Sequence, residues 1–297
     1  MKRTFLQRFF LRYLSFIVLF TLIGCQSQTA PDEAIALIPT LTQTAKALPT
    51  PTPIPATSTP TPLPTATVIP TATPTATATP DPLAPVIVTI EAVDRVIATG
   101  TFYPGMGEAP WPGVILLHMA GGDRQIWESN GFAQRLVEHG YAVLAVDIRN
   151  HGKSGGDDSW EKAAADLRRW WTYFSQREDI DATRTALVGG SIGANLALFT
   201  GADKPEVRTV VLLSAGLNYN SAAVDEAVVR YGSRPLFLIA SEDDLFPAAE
   251  DAQIMASLAT GEVELLIYED AGHGTEMLET KPELAGLIVD WLEQYLQ

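Results

Sequence analysis

The chain has 297 residues, of which 46% are hydrophobic, and a formal net charge of −15 at pH 7. Residues 1–85 hold five basic and three acidic residues, so residues 86–297 carry a formal charge of −17. This charge argues against nucleic acid and anionic membrane surfaces as direct partners of that part.

The first 25 residues have the features of an export signal. Four basic residues within residues 1–12 precede an apolar run, Leu14 to Ile23, which is too short to span a bilayer comfortably. The run ends at Cys25, the only cysteine. Leu22-Ile23-Gly24-Cys25 resembles the lipobox of bacterial lipoproteins, which implies cleavage before Cys25, its lipidation and an extracytoplasmic, membrane-anchored protein. The alternative is an ordinary signal peptide or membrane anchor with a chance cysteine.

A proline- and threonine-rich segment follows the export signal. Residues 49–85 contain 12 prolines and 12 threonines among 37 residues, with Asp81 as the only charge. Such a composition buries little apolar surface and favours extended polyproline II. The sequence therefore predicts a signal peptide over residues 1–24, a lipid-anchored, disordered stalk over 25–85 and one folded domain over 86–297.

From residue 86 onward, apolar runs alternate with amphipathic stretches. The strands are predicted at residues 86–90, 95–103, 113–119, 141–146, 185–188, 209–213, 236–240 and 263–268. The helices are predicted around residues 132–137, after a cap at Asp158 or Ser159, after Ser191, at 222–231, at 248–258, and after a capping box formed by Thr280 and Glu283. This alternation predicts an α/β fold with a mostly parallel sheet covered on both faces.

The sequence around Ser191 combines a strand, a sharp turn and a helix. Gly189-Gly190-Ser191-Ile192-Gly193 follows an apolar run and precedes an Ala/Leu-rich stretch. Glycines on both sides of the serine leave room where strand and helix backbones pass close together. The free N–H groups of the helix would face an oxyanion forming at the serine. This pattern is typical of a nucleophile elbow.

Four further places support the same interpretation. His118-Met119-Ala120-Gly121-Gly122 is a glycine-rich loop after a strand, and Asp147 to Ser154 is a second loop of this kind. Ser241-Glu242-Asp243-Asp244 follows the strand at 236–240, with three neighbouring carboxylates. Ala271-Gly272-His273-Gly274 follows the last strand. Serine, acid and histidine thus occur in the order that α/β-hydrolases show.

Residues 86–297 resemble the α/β-hydrolase family, and among its members most closely the compact dienelactone-hydrolase-like esterases. The resemblance implies a triad of Ser191, His273 and Asp243, with Glu242 and Asp244 as competing carboxylates. It also implies oxyanion donors at the Ala120 and Ile192 amides, although Met119 stands where glycine is usual. His151 falls at a position with a structural role in the family. The resemblance implies no metal and no organic cofactor.

The substrate is predicted to be a small-molecule ester. About twenty residues, 215–234, separate two predicted strands where a lid would enter, so no large cap domain is expected. The side chains predicted to wall a small acyl pocket are Met119, Trp127, Leu245 and Phe246, with ordinary core packing as the alternative for each. Two other functions stay open: a peptidase of the prolyl-oligopeptidase type, and a non-catalytic surface binding module on the same fold. The sequence does not predict an oligomeric state.

Overall fold

The computed structural model describes residues 83–219, 222–247 and 249–297. The predicted export signal, Cys25 and nearly all of the proline–threonine segment lie outside these residues, so the predictions made for them stay predictions. None of the helices within the described ranges is long and apolar enough to cross a membrane.

An eight-stranded sheet forms the centre of the described chain, with the strand order β1-β2-β4-β3-β5-β6-β9-β10. β2 pairs antiparallel with β1 and β4, and the other neighbouring strands pair in parallel. The two-residue strands β7 and β8 form a separate hairpin. The strands are β1 (Val86–Glu91), β2 (Ile97–Tyr103), β3 (Trp111–Leu117), β4 (Ala142–Val146), β5 (Ile180–Gly190), β6 (Val207–Leu213), β7 (Asn218–Tyr219), β8 (Ala222–Ala223), β9 (Leu236–Ser241) and β10 (Val263–Tyr268).

Helices cover both faces of this sheet, as the alternating pattern predicted. Helices α3 to α6 pack in one hydrophobic core, and α2 and α8 pack in the core on the opposite face. A short 3₁₀ turn, Gly274–Glu276, precedes α7. The helices are α1 (Ile126–Ser129), α2 (Phe132–Glu138), α3 (Trp160–Ser175), α4 (Ile192–Asp203), α5 (Val224–Tyr231), α6 (Ala249–Leu258), α7 (Met277–Thr280) and α8 (Glu283–Leu296).

Local signals in the sequence located several of these elements. Ser159 caps α3, since its hydroxyl accepts the N–H of Lys162 at 3.3 Å. The aromatic face of α3, which includes Trp170 and Phe174, is buried in the core. The predicted capping box at the last helix is wrong: Pro282 stands at the N-cap of α8, and the Thr280 hydroxyl instead donates to the Ala271 carbonyl at 2.6 Å.

The segment where a lid would enter is short, as predicted. Between β6 and β9, the described chain forms only the β7–β8 hairpin and the eight-residue helix α5. The helix begins at Val224, two residues later than predicted, because Ala222 and Ala223 pair with β7. Helices and loops therefore leave the carboxyl ends of the parallel strands without a large covering domain, within the ranges that the structure describes.

Candidate active site

Ser191 lies on a strained turn between β5 and α4. Its backbone has φ 52° and ψ −116°, a conformation that is unfavourable for a residue with a side chain. A methyl group on Gly189 would lie 2.3 Å from the carbonyl carbon of Gly193, so the strand and the helix touch at their backbones. The Ser191 N–H donates to the Leu213 carbonyl at 2.8 Å, which fixes the turn to β6. The predicted sharp turn at Ser191 is confirmed.

His273 lies on a loop that packs directly on this turn. A methyl group on Gly274 would lie 3.5 Å from the Ser191 nitrogen, and one on Gly190 would lie 3.0 Å from the Thr275 nitrogen. The Gly274 N–H donates to the buried Ser214 hydroxyl at 2.9 Å. The structure therefore brings the histidine loop and the serine turn together, although they are far apart in sequence.

The carboxylate of Asp244 contacts the histidine ring. Asp244 Oδ2 lies 2.6 Å from Nδ1 of His273, and the Asp244 side chain is only 7% exposed. Because an ionised carboxylate only accepts hydrogen bonds, the ring donates from Nδ1. The Nε2 atom of the neutral ring then carries the lone pair, so it is the atom available as a base.

The predicted contact between Asp243 and His273 is wrong, because Asp244 makes that contact. Asp243 is exposed, and its carboxylate accepts hydrogen bonds from the Ser241 hydroxyl and from the Ala271 N–H instead of contacting the His273 ring. The hydrogen bond from Ser241 holds the pKa of Asp243 below its usual value. Asp243 thus supports the backbone at Ala271, while Asp244 faces the ring. Glu242 is exposed and makes no side-chain hydrogen bond or ion pair in the described part of the chain.

Two residues near His273 were missed by the sequence analysis. Glu276 accepts the His273 N–H at 3.1 Å, and Ser214 accepts the Gly274 N–H. The spacing of Glu276, three residues after His273, is a capping pattern that could have predicted its contact. Ser214 has φ 54°, and nothing in the local sequence indicates that it contacts a loop 60 residues away.

The loop after β3 is held by a buried histidine. His118 Nε2 accepts the Ile148 N–H at 2.9 Å, so Nδ1 carries the proton and donates to the Met119 carbonyl at 2.7 Å. Burial lowers the pKa of His118, which favours this neutral form. Gly122 closes the turn by donating its N–H to the same carbonyl of Met119.

The two amides predicted as oxyanion donors are free. Neither the Ala120 N–H nor the Ile192 N–H donates a hydrogen bond within the described residues. A methyl group on Gly193 would lie 2.5 Å from the Leu117 carbonyl oxygen, so the start of α4 touches the end of β3. Both amides therefore lie at the same end of the sheet as Ser191.

The loop from Asp147 to Ser154 is braced by a buried carboxylate. Asp147 accepts hydrogen bonds from the Arg124 N–H at 2.8 Å and the Lys153 N–H at 2.7 Å, and it forms an ion pair with the Arg124 guanidinium. A methyl group on Gly152 would lie 2.4 Å from this carboxyl. Asn150, which stands where the family has glycine, adopts φ 60°. Asparagine tolerates this left-handed conformation better than most residues do.

The residues predicted to wall an acyl pocket fall in three different environments. Trp127 is fully buried in the core against Phe132, so the pocket prediction is wrong for it. Leu245 and Phe246 are 91% and 70% exposed on the loop after Asp244. Met119 is half-buried and lies near the serine turn, since a methyl group on Gly274 would be 3.2 Å from its sulfur.

Comparisons with known proteins identify the class of fold. Residues 112–235 match a family model described as alpha/beta hydrolase fold. An esterase of Pyrococcus furiosus superposes with a TM-score of 0.64 at 21% identity, covering 72% of this chain and 92% of the esterase. A dienelactone hydrolase of Anabaena variabilis superposes with a TM-score of 0.56 at 20% identity, covering 72% and 99%. The chain therefore has the α/β-hydrolase fold, and the predicted fold class is confirmed.

Similarity to curated relatives is limited to part of the chain. An uncharacterized protein of Mycobacterium tuberculosis (strain ATCC 25618 / H37Rv) is 29% identical over 124 residues, which are 42% of this chain and 43% of the relative. The match thus spans less than half the length of the first curated relatives.

Proposed function

We propose that this protein is a serine hydrolase that cleaves carboxylic ester bonds. The observation that carries this proposal is the hydrogen bond between His273 and Asp244, on a loop that packs against the Ser191 turn. A serine is a weak nucleophile unless a base removes its proton, and a carboxylate that holds the histidine in the productive tautomer makes that base more effective. The solved esterases with the same fold are consistent with this chemistry.

In the proposed reaction, the Ser191 Oγ attacks the ester carbonyl while His273 Nε2 takes its proton. The Ala120 and Ile192 amides stabilise the negative charge on the carbonyl oxygen. His273 then gives the proton to the leaving alcohol, and an acyl-enzyme on Ser191 forms. Water attacks this acyl-enzyme with the same base and returns free Ser191 and a carboxylic acid. Asp244 holds the ring and stabilises its protonated form.

The contact between Ser191 and His273 belongs to the proposal. The Ser191 hydroxyl makes no hydrogen bond within the residues described. In enzymes without bound substrate, such contacts are often long and shorten when the substrate is bound. The strained backbone of Ser191 favours this interpretation, since strain of this kind occurs at functional sites.

A fluorophosphonate probe and short-chain esters test this function on the full-length protein in detergent. We expect wild-type protein to react with the probe, and Ser191→Ala to lose labelling and roughly 10⁴-fold or more in kcat. Ser257→Ala is the matched control, because Ser257 is an exposed serine on α6. Near wild-type hydrolysis by Ser191→Ala would contradict the serine mechanism. Cleavage of aminoacyl amides faster than esters would favour a peptidase, and neither labelling nor hydrolysis would favour a binding module.

We further propose that the protein is exported and held at a membrane through lipid on Cys25. The support is the sequence alone, an apolar signal that ends in Leu22-Ile23-Gly24-Cys25. Two or three acyl chains would anchor the protein stably, whereas one chain gives only marginal binding. The proline–threonine segment would then separate the α/β-hydrolase domain from the membrane surface.

A further inference from the structure

A cavity of about 250 Å³ opens beside the two proposed oxyanion amides. Ala120 and Ile192 form one side of it, and the β4–α3 connection with the first turn of α3 forms the rest. The volume equals about eight water molecules at ~30 Å³ each. Because Ala120 and Ile192 line this cavity, a substrate whose carbonyl oxygen binds their amides has its acyl or its alcohol part beside the cavity.

The position of His273 decides whether the acyl part or the alcohol part of the substrate lies in the cavity. Asp244 and His273 follow β9 and β10, which lie on one side of β5 in the sheet. Ala120 and the β4–α3 connection follow β3 and β4, on the other side of β5. The leaving oxygen must lie against His273 to receive its proton. The alcohol part therefore extends toward β9 and β10, and the acyl part enters the cavity.

Away from the two proposed oxyanion amides, His151 and Asp158 contribute hydrogen-bond acceptors to the cavity wall. His151 donates from Nδ1 to the Arg149 carbonyl at 2.8 Å, which leaves Nε2 of the neutral ring as an acceptor. Asp158 accepts from the Asn150 amide at 2.7 Å through Oδ1, and its second oxygen has no hydrogen-bond partner within the described chain. Trp160 adds a mostly buried aromatic surface to the same wall.

Arg149, a cationic residue that lines the cavity, is neutralised by neighbouring carboxylates. The Arg149 side chain is 1% exposed and pairs with Asp94 and Asp166 at 2.8 Å each. Asp157, which also lines the cavity, pairs with Lys162 at 2.6 Å. Asp158 adds a further carboxylate that no cation pairs with in the described residues. Beyond the two amides, an anionic group in the cavity would meet acceptors and negative charge, whereas a hydrogen-bond donor would meet the His151 and Asp158 acceptors.

We propose that this cavity is the acyl subsite and that it selects acyl groups carrying a hydroxyl or an ammonium group over those carrying a carboxylate. His151 Nε2 and the Asp158 carboxylate are the specificity-determining acceptors. This inference rests on the proposed ester hydrolysis. It narrows the substrate class to esters of hydroxylated or amino-substituted short acids.

Four methyl esters of similar size test the subsite at pH 7 with full-length protein: methyl butanoate, methyl 3-hydroxybutanoate, methyl 3-aminobutanoate and monomethyl succinate. The alcohol is the same in all four, so differences in kcat/KM report on the acyl part. We expect the hydroxyl and ammonium esters to exceed methyl butanoate by roughly tenfold, and monomethyl succinate to fall below it by a similar factor.

Two substitutions assign the preference to the cavity. Asp158→Asn keeps the shape and removes the charge, so we expect the ratio of the ammonium ester to methyl butanoate to fall by roughly fivefold or more. His151→Phe keeps a ring and removes Nε2, so the ratio of the hydroxyl ester to methyl butanoate should fall. Asp290→Asn is the matched control, since Asp290 is an exposed aspartate on α8 outside the cavity, and it should leave both ratios unchanged.

The outcomes separate the two proposals. If wild-type protein hydrolyses methyl butanoate through Ser191 but cleaves monomethyl succinate equally well or better, the acyl subsite is wrong and the esterase stands. The same holds if Asp158→Asn and Asp290→Asn change the ratios equally. If no ester is cleaved and Ser191 takes no fluorophosphonate, the proposed function fails and this inference fails with it.

Discussion

Replacing Asp244 by asparagine changes the carboxylate that contacts the proposed base. Asp244 Oδ2 lies 2.6 Å from His273 Nδ1, and the side chain is almost buried. An asparagine amide that donates at this position favours the tautomer with hydrogen on Nε2, which cannot take the Ser191 proton. The corresponding change in a trypsin-like triad lowers kcat by about 10⁴-fold. We expect a loss of similar size for 4-nitrophenyl acetate, with binding of substrate little changed.

Asp243→Asn is the matched control, because it removes the neighbouring carboxylate that does not contact the His273 ring. Asp243 accepts hydrogen bonds from Ser241 and Ala271, and an asparagine oxygen can accept both. We expect kcat to fall by no more than about tenfold, the effect of weakening one hydrogen bond. Thermal unfolding of both variants checks that the fold is intact. Equal losses, or a larger loss at Asp243, would refute the assignment of Asp244 to His273.

Four more outcomes follow from the structure and the sequence. Gly193→Ala places a methyl group 2.5 Å from the Leu117 carbonyl, so the free energy of unfolding should fall by about 2–3 kcal/mol in urea titrations. Burial lowers the pKa of His118, so the unfolded chain takes up a proton that the native protein does not. Stability should therefore fall as pH decreases from 7 to 5, and His118→Gln should reduce this slope. Across 4-nitrophenyl esters, kcat/KM should be highest for short acyl chains, since each CH₂ left in water loses about 0.8 kcal/mol of burial. Cys25→Ser should abolish lipid attachment, as measured by mass spectrometry, and leave uncleaved precursor.

Each of these outcomes has a result that would contradict it. Gly286→Ala is the control for Gly193, because a methyl group at Gly286 meets nothing within 4 Å; it should raise the free energy of unfolding by about 0.5–1 kcal/mol, and equal effects would remove the steric argument. An unchanged pH slope in His118→Gln would mean that other groups cause it. A rate maximum at long chains would indicate a lid. Wild-type protein cut at another site, without acyl groups, would refute lipidation of Cys25.

Elements that depend on local pattern were predicted well from the sequence. β10 was predicted at residues 263–268, which are its bounds in the structure. Runs of apolar residues in a parallel strand and a serine at a helix start are signals carried by a few neighbouring residues. The turn at Ser191 was predictable for the same reason, since Gly189 and Gly193 allow a close approach that other residues would block.

Which of several neighbouring polar residues makes a given contact depends on the three-dimensional environment. The sequence-based predictions were wrong at two such places. Thr280 has the sequence context of a capping residue, yet its hydroxyl bonds the Ala271 carbonyl of the histidine loop. Asp243 and Asp244 are consecutive carboxylates after β9. The Ser241 hydroxyl binds Asp243, and the turn directs Asp244 toward His273. Neither partner is visible in the sequence around the aspartates.

Hydrophobicity alone likewise did not distinguish apolar residues of the core from apolar residues on loops near Ser191. The positions of these residues affect the choice of ester substrates for the assays. Trp127 is in the core, whereas Leu245 and Phe246 are exposed on the β9 side of Ser191, where the alcohol part is proposed to leave. The proposed acyl side, by contrast, is lined by His151 and acidic residues. In this orientation, the nitrophenyl group of a chromogenic ester extends toward the exposed apolar side chains and away from the cavity. A series with a constant alcohol and a varied acyl group therefore measures the cavity separately from the apolar loop.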